Sequence, residues 1–106
     1  MTIVEGPGGE VTAFINEQTK RLEKAGEKVG IIGTDGSIHK YPAGIVKSAG
    51  SREKEESIAK ELYRILREFD DEQVTVIFSE AFEDKGIGQA IMNRLLKAAG
   101  HKIIKL

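Results

Sequence analysis

Three stretches of this chain carry residue types able to do chemistry: Glu5-Gly6-Pro7-Gly8-Gly9, Ser79-Glu80-Ala81-Phe82 and Ser48-Ala49-Gly50-Ser51-Arg52. The first is a degraded dinucleotide fingerprint. Gly6 and Gly8 match the first two glycines of Gly-x-Gly-x-x-Gly, but Val11 stands where the third belongs. Pro7 removes an N–H that would donate to a phosphate, and Glu5, Glu10 and Glu80 would meet that phosphate as like charges. A tight strand-to-helix turn explains the same glycines. Glu5 and Glu80 form the candidate carboxylate pair, expected side by side in one crevice with Gly6, Gly8 and Ser79. Two such groups can do acid–base work when their surroundings push their pKa values apart. Nothing apolar in the sequence encloses them, so two solvated groups at a sheet rim is the simpler reading.

The third stretch precedes a helix, and free N–H groups around Gly50, Ser51 and Arg52 could hold an anion. Glu53, Glu55 and Glu56 follow within five residues, which favours helix capping by Ser51 instead. His39 and His101 lack ligand spacing, and the absence of Cys removes thiolate metal sites, Cys nucleophiles and disulfides together. No metal site is expected. No Gly-x-Ser-x-Gly elbow presents a serine. A phosphoryl-receiver pattern also fails, since it needs an acidic pair after the first strand and an Asp after the third. The chain offers Glu5 with glycines, then Lys47-Ser48.

These residues depend on the elements that carry them. Thr2–Glu5 reads as a short strand, and Val11, Phe14, Ile15, Leu22 and Ala25 recur at helical spacing before the capping Gly26. Lys28–Ile32 is a second strand, Gly33–Ala43 a loop by composition, and Gly44–Lys47 a third strand. Ile58, Leu62, Ile65, Leu66 and Phe69 mark one face of a second helix. Val74–Phe78 is nearly continuous in apolar residues, as a strand covered on both faces should be. After the loop Ser79–Gly86, a third helix places Ile87, Ala90, Ile91, Leu95 and Ala98 on one side, and Gly100 ends it. Lys102–Lys105 is the last strand. Strands separated mostly by helices predict an α/β, three-layer, doubly wound parallel sheet of five strands with three main helices. Right-handed crossovers favour the order 3-2-1-4-5, with the first helix and the Gly33–Ala43 loop on one face and two helices opposite. The alternative, 2-1-3-4-5, leaves half the sheet uncovered.

Length and charge narrow the function. At 106 residues and 40% apolar composition the chain holds one core in one domain. No apolar run approaches the roughly 20 residues of a membrane span, and no signal peptide precedes Thr2, so a cytoplasmic protein without membrane contact is expected. Residues 1–51 balance six acids with six bases, residues 52–84 carry eleven acids and five bases, and residues 85–106 carry five bases and no acid. A chain of net charge −1 lacks the dominant basic face of a non-specific nucleic-acid binder. The basic end is either solvated surface or a docking surface for an acidic partner. Asn93, Arg94 and Lys97, turned away from the apolar face of the third helix, are the candidate contact residues.

The second half carries a more specific signal. Ser48–Arg52, Ile58-Ala59-Lys60-Glu61-Leu62-Tyr63, Leu66–Asp70, Val74–Phe78 and, most sharply, Gly86-Ile87-Gly88-Gln89-Ala90-Ile91-Met92-Asn93-Arg94-Leu95-Leu96-Lys97-Ala98-Ala99 follow in order. Over about Ser48 to Ala99 the chain resembles the C-terminal, Rossmann-like domain of two-domain threonylcarbamoyl-AMP synthases. The first half agrees in layout more than in motif. The resemblance implies a parent nucleotidyltransferase that makes threonylcarbamoyl-AMP from threonine, bicarbonate and ATP with Mg²⁺, for threonylcarbamoyladenosine modification of tRNA. In that family the chemistry belongs to an N-terminal catalytic domain and a gating linker, both absent from residues 1–106. What is implied here is a single accessory domain with no catalytic residues and no cofactor of its own. Its partner would be the catalytic domain, whose gate it helps organise, and direct tRNA binding is not expected. The rival is a self-contained small-ligand binder at the Glu5/Glu80 crevice.

Overall fold

The alternation of strand and helix signals is realised in a computed structural model that describes residues 1–51, 53–82, 90–91, 93–94, 97, 100 and 102–106. Strand β1 (Thr2–Glu5) leads into helix α1 (Gly8–Lys24), then β2 (Val29–Gly33), a 3-10 turn (Ile38–Lys40) and β3 (Ile45–Ser48). Helix α2 (Glu55–Asp71), β4 (Val76–Glu80) and β5 (Ile103–Lys105) follow. Ala90, Ile91, Asn93, Arg94 and Lys97 are helical, as the third helix requires, and Ile91 is buried while Ala90 is exposed. Ile87, Leu95 and Ala98 lie outside the described residues.

All four strand pairings are parallel, in the order β3-β2-β4-β1-β5. The expected class and edge strands hold, but the expected order 3-2-1-4-5 does not, nor does its alternative: β4 and β1 exchange places. Crossover handedness fixes the direction in which each connection travels and the face it covers, not how many strands it steps over. Both orders run leftward twice and then rightward twice. In the observed order the β3-to-β4 and β4-to-β5 crossovers each pass over one strand. Strands lie about 4.8 Å apart and a helix is about 10 Å across, so two such crossovers fit side by side over the sheet.

The predicted division of faces is kept. One layer gathers Ile58, Leu62, Ile65 and Phe69 of α2 with Ile91, Phe82, Ile3 and Ile32. The other gathers Val11 and Ile15 of α1 and Tyr41 with Val4, Val29, Ile31 and Phe78. Phe69 lies flat against β2 because Gly30 has no side chain; a Cβ there would meet the ring at 2.9 Å.

Two boundaries differ from expectation. Strand β4 starts two residues late: Val74 N–H still donates to Phe69 O of α2, and Thr75 N–H donates to Lys28 O, just ahead of β2. It therefore extends through Ser79 and Glu80, which were expected in a loop. Helix α2 starts at Glu55, so Ser51 is not its N-cap. Ser51 Oγ accepts from Glu53 N–H at 3.2 Å and its carbonyl from Lys54 N–H at 2.9 Å, forming a separate turn.

Candidate functional site

The proposed crevice lies at the carboxyl ends of β1 and β4, and its residues do not converge. Register pairs Val4 with Glu80 and Glu5 with Lys105. Side chains alternate along a strand. Glu80 therefore shares the α1 face with Val4 and Phe78, while Glu5 shares the opposite face with Ile3. Glu80 is buried and Glu5 exposed. The expected side-by-side carboxylate pair is absent, because continuing β4 by two residues put Glu80 one step out of phase with Glu5.

Ser79 points to the α2 face, fully buried, with Oγ donating to Glu80 O at 2.9 Å. Gly6, at φ +153°, packs on Leu106, whose Cβ would lie 2.9 Å from a Cβ added there. Leu106 N–H donates to Glu5 O at 2.8 Å, so the end of β5 covers the turn. Gly8 opens α1 and a Cβ there would touch nothing. Gly6 thus closes the turn against Leu106, while Gly8 has no neighbour that requires a glycine.

Glu80 has a different neighbourhood from the expected one. Tyr41 donates its hydroxyl to Glu80 Oε2 at 2.5 Å. Gly33 leaves the space, since a Cβ there would stand 3.0 Å from Ser37 Oγ and 3.3 Å from Glu80 Oε2. Ser37 Oγ in turn accepts from Thr34 N–H at 3.0 Å, and Thr34 is buried. The carboxylate thus anchors the loop between β2 and β3 to the centre of the sheet. Nothing in the sequence pairs Tyr41 with a residue 39 positions away; only the parallel register brings them together.

The second loop candidate is likewise spent on itself. Gly50 N–H donates to Ser48 Oγ at 3.0 Å, Ser48 Oγ donates to Asp35 Oδ1 at 2.6 Å, and Asp35 N–H donates to Gly50 O at 3.0 Å. An anion there would meet the Asp35 carboxylate. Arg52 lies outside the described residues, as does His101; His39 is exposed on the 3-10 turn. Among the described residues no three of His, Cys, Asp and Glu converge on a point.

Charge is organised on α2. Lys47 of β3 donates to Glu68 at 2.8 Å and Glu72 at 3.3 Å, and Arg64 binds Glu68 at 2.6 Å and also Glu61. Hydrogen bonds from Lys47 and then Arg64 hold the Glu68 carboxyl below its ordinary value. The same contact with Glu68 raises Lys47. This cluster ties the edge strand to the helix.

Asn93, Arg94 and Lys97 are all exposed. Arg94 is not a free cation: its guanidinium carbon sits 4.1 Å from the centroid of the Tyr63 ring. Tyr63 is 57% exposed, against complete burial of Ile58, Leu62 and Ile65 on the same helix. Tyr63 is an aromatic residue off the apolar stripe of an amphipathic helix, which is the signal the sequence holds for it.

The family model for the C-terminal domain of threonylcarbamoyl-AMP synthase matches residues 1–100, well beyond the second half in which the motifs cluster. The threonylcarbamoyl-AMP synthase of Bacillus subtilis is 40% identical over 105 residues, 99% of this chain and 29% of that protein. The one of Pyrococcus abyssi is 43% identical over 104 residues, 98% of this chain and again 29% of the relative. The chain thus spans under a third of the length of the curated relatives it matches. Among solved structures, a doubly substituted Sua5 of P. abyssi superposes with a TM-score of 0.87 at 41% identity, covering 99% of this chain and 29% of that one. A C-terminal Sua5 domain from Pyrococcus horikoshii does so at 0.76 and 39%, covering 99% of this chain and 94% of that one.

Proposed function

Since the chain belongs to the threonylcarbamoyl-AMP synthase C-terminal domain family, we propose that residues 1–106 act as one non-catalytic accessory domain of such a synthase. In this proposal the domain docks on the part of the enzyme that binds threonine, bicarbonate and ATP with Mg²⁺, and helps organise the gate of that site. The domain itself takes no cofactor, does not bind tRNA directly and works in the cytoplasm. No helix among the described residues is long and apolar enough to cross a membrane.

The observation that carries the proposal is the combination of full coverage of this chain with under a third of each relative. A chain matching only the C-terminal portion leaves most of each synthase to supply the chemistry. The divergence of Glu5 from Glu80 and the packing of Leu106 on Gly6 support it, because they leave the C-terminal edge of the sheet without a joint acid–base crevice. The rival small-ligand site at Glu5 and Glu80 loses its basis in the same way.

The test is pyrophosphate release that depends on threonine and bicarbonate. This chain alone should give none above a denatured control. The Bacillus subtilis relative carrying this chain in place of its own C-terminal domain should release it. Turnover by the chain alone would overturn the proposal.

A further inference from the structure

Building on that accessory role, we propose that the docking surface is the outer face formed by Lys60, Tyr63 and Arg67 of α2 with Arg94 and Lys97, and that its occupant is a carboxylate-bearing protein surface on the remainder of the synthase. Lys60, Tyr63 and Arg67 recur at i, i+3 and i+7, so they share one stripe of α2, and all three are exposed. The Arg94 guanidinium lies over the Tyr63 ring, well within cation–π range. Cations from two elements therefore border one exposed aromatic ring.

Lys60, Arg67 and Lys97 form no ion pair among the described residues, although Glu56 stands four residues before Lys60 and Asp71 four after Arg67. The nearby acids Glu61 and Glu68 are engaged by Arg64 on the neighbouring stripe. Tyr and Arg are both among the residue types enriched at interface hot spots. A planar guanidinium already held by a ring can still grip a carboxylate through its edge N–H groups.

Two other occupants fit less well. Nucleic acid follows overall charge, and this chain carries −1, with eleven acids against five bases in residues 52–84. A second copy fails on symmetry. A two-fold axis between Tyr63 and Arg64 would oppose Lys60 to Arg67 and Glu56 to Asp71, like against like.

Amine-reactive labelling tests this in the intact Bacillus subtilis relative carrying this chain as its C-terminal domain, compared with the chain alone. Lys60 and Lys97 should label several-fold more slowly in the joined protein, while exposed Lys20 on α1 is unchanged. Arg94→Glu or Arg67→Glu, each an acid placed before an acidic partner, should restore the free-chain rate. Raised salt should restore it too. Protection confined to other lysines would overturn this surface and leave the accessory role standing. No protection anywhere, with no synthase activity, would overturn both. Protection of Lys60 and Lys97 in the chain alone by a single-stranded RNA 20-mer at physiological salt would overturn the choice of a protein partner.

Discussion

The two tyrosines of this chain are each held by a charged side chain, and the two arrangements are opposites. Tyr41 is 6% exposed and gives its hydroxyl to buried Glu80 across 39 residues of sequence. Tyr63 is 57% exposed, and its ring face carries Arg94. In the interior, a polar pair must be satisfied or it costs stability, so the contact is a fastener. On the surface water competes for every group, and a cation–π contact contributes only about 0.5–1 kcal/mol. The position that looked chemical, a carboxylate at the mouth of the sheet, is therefore structural. The cation and ring that stay open to solvent are on the outer face of α2.

The comparison breaks first if the interior tyrosine proves dispensable. Tyr41→Ala should cost about 3 kcal/mol or more, since it empties part of the α1-side core and strips a donor from Glu80. Denaturant unfolding measures this directly. Tyr41→Phe keeps the ring and removes only the hydroxyl, and should cost about 1–2 kcal/mol. A neutral Tyr41→Phe would mean that the ring alone holds the loop.

A smaller effect lies between the two extremes, on the cluster in which exposed Arg64 and partly buried Lys47 both bind Glu68. Glu68 has a folded-state pKa below its ordinary 4.5. Its contribution is present above that ordinary value and fades as pH falls through the depressed one. Lys47 is raised above 10.5; its contribution is present below that value and fades as pH rises through the raised one. Lys47→Met should thus flatten the loss of stability on acidification, read from unfolding midpoints between neutral pH and the carboxylate range. An unchanged acid limb would show that the cluster is too well solvated to matter.

Much of the fold could be read from spacing, and the reasons for what could not are local. The stripe Ile58, Leu62, Ile65 and Phe69 announced α2 and the face it covers, and the near-continuous Val74–Phe78 announced an inner strand. The exchange of β1 and β4 was hidden because crossover chirality is silent on how many strands a connection spans. The late start of β4 was hidden because Val74, strand-like in type, still bonds to Phe69 of α2, and Thr75 bonds to Lys28 just ahead of β2. That two-residue shift turned Glu80 inward to Tyr41 and dissolved the supposed pair with Glu5. Arg94 was legible as an exposed cation, but its contact with Tyr63, on another helix, depends on how the two elements pack.

The smallest expected effect on stability accompanies the most direct test. On one preparation of the Arg94→Ala variant, unfolding free energy is measured for this chain, and protection of Lys60 and Lys97 is measured after joining it to the Bacillus subtilis synthase remainder. Stability should stay within about 0.5 kcal/mol of the unsubstituted chain, while protection falls towards that of the free chain. A large loss of stability with unchanged protection per folded molecule would show that Arg94 and Tyr63 hold the domain together, as Tyr41 and Glu80 do.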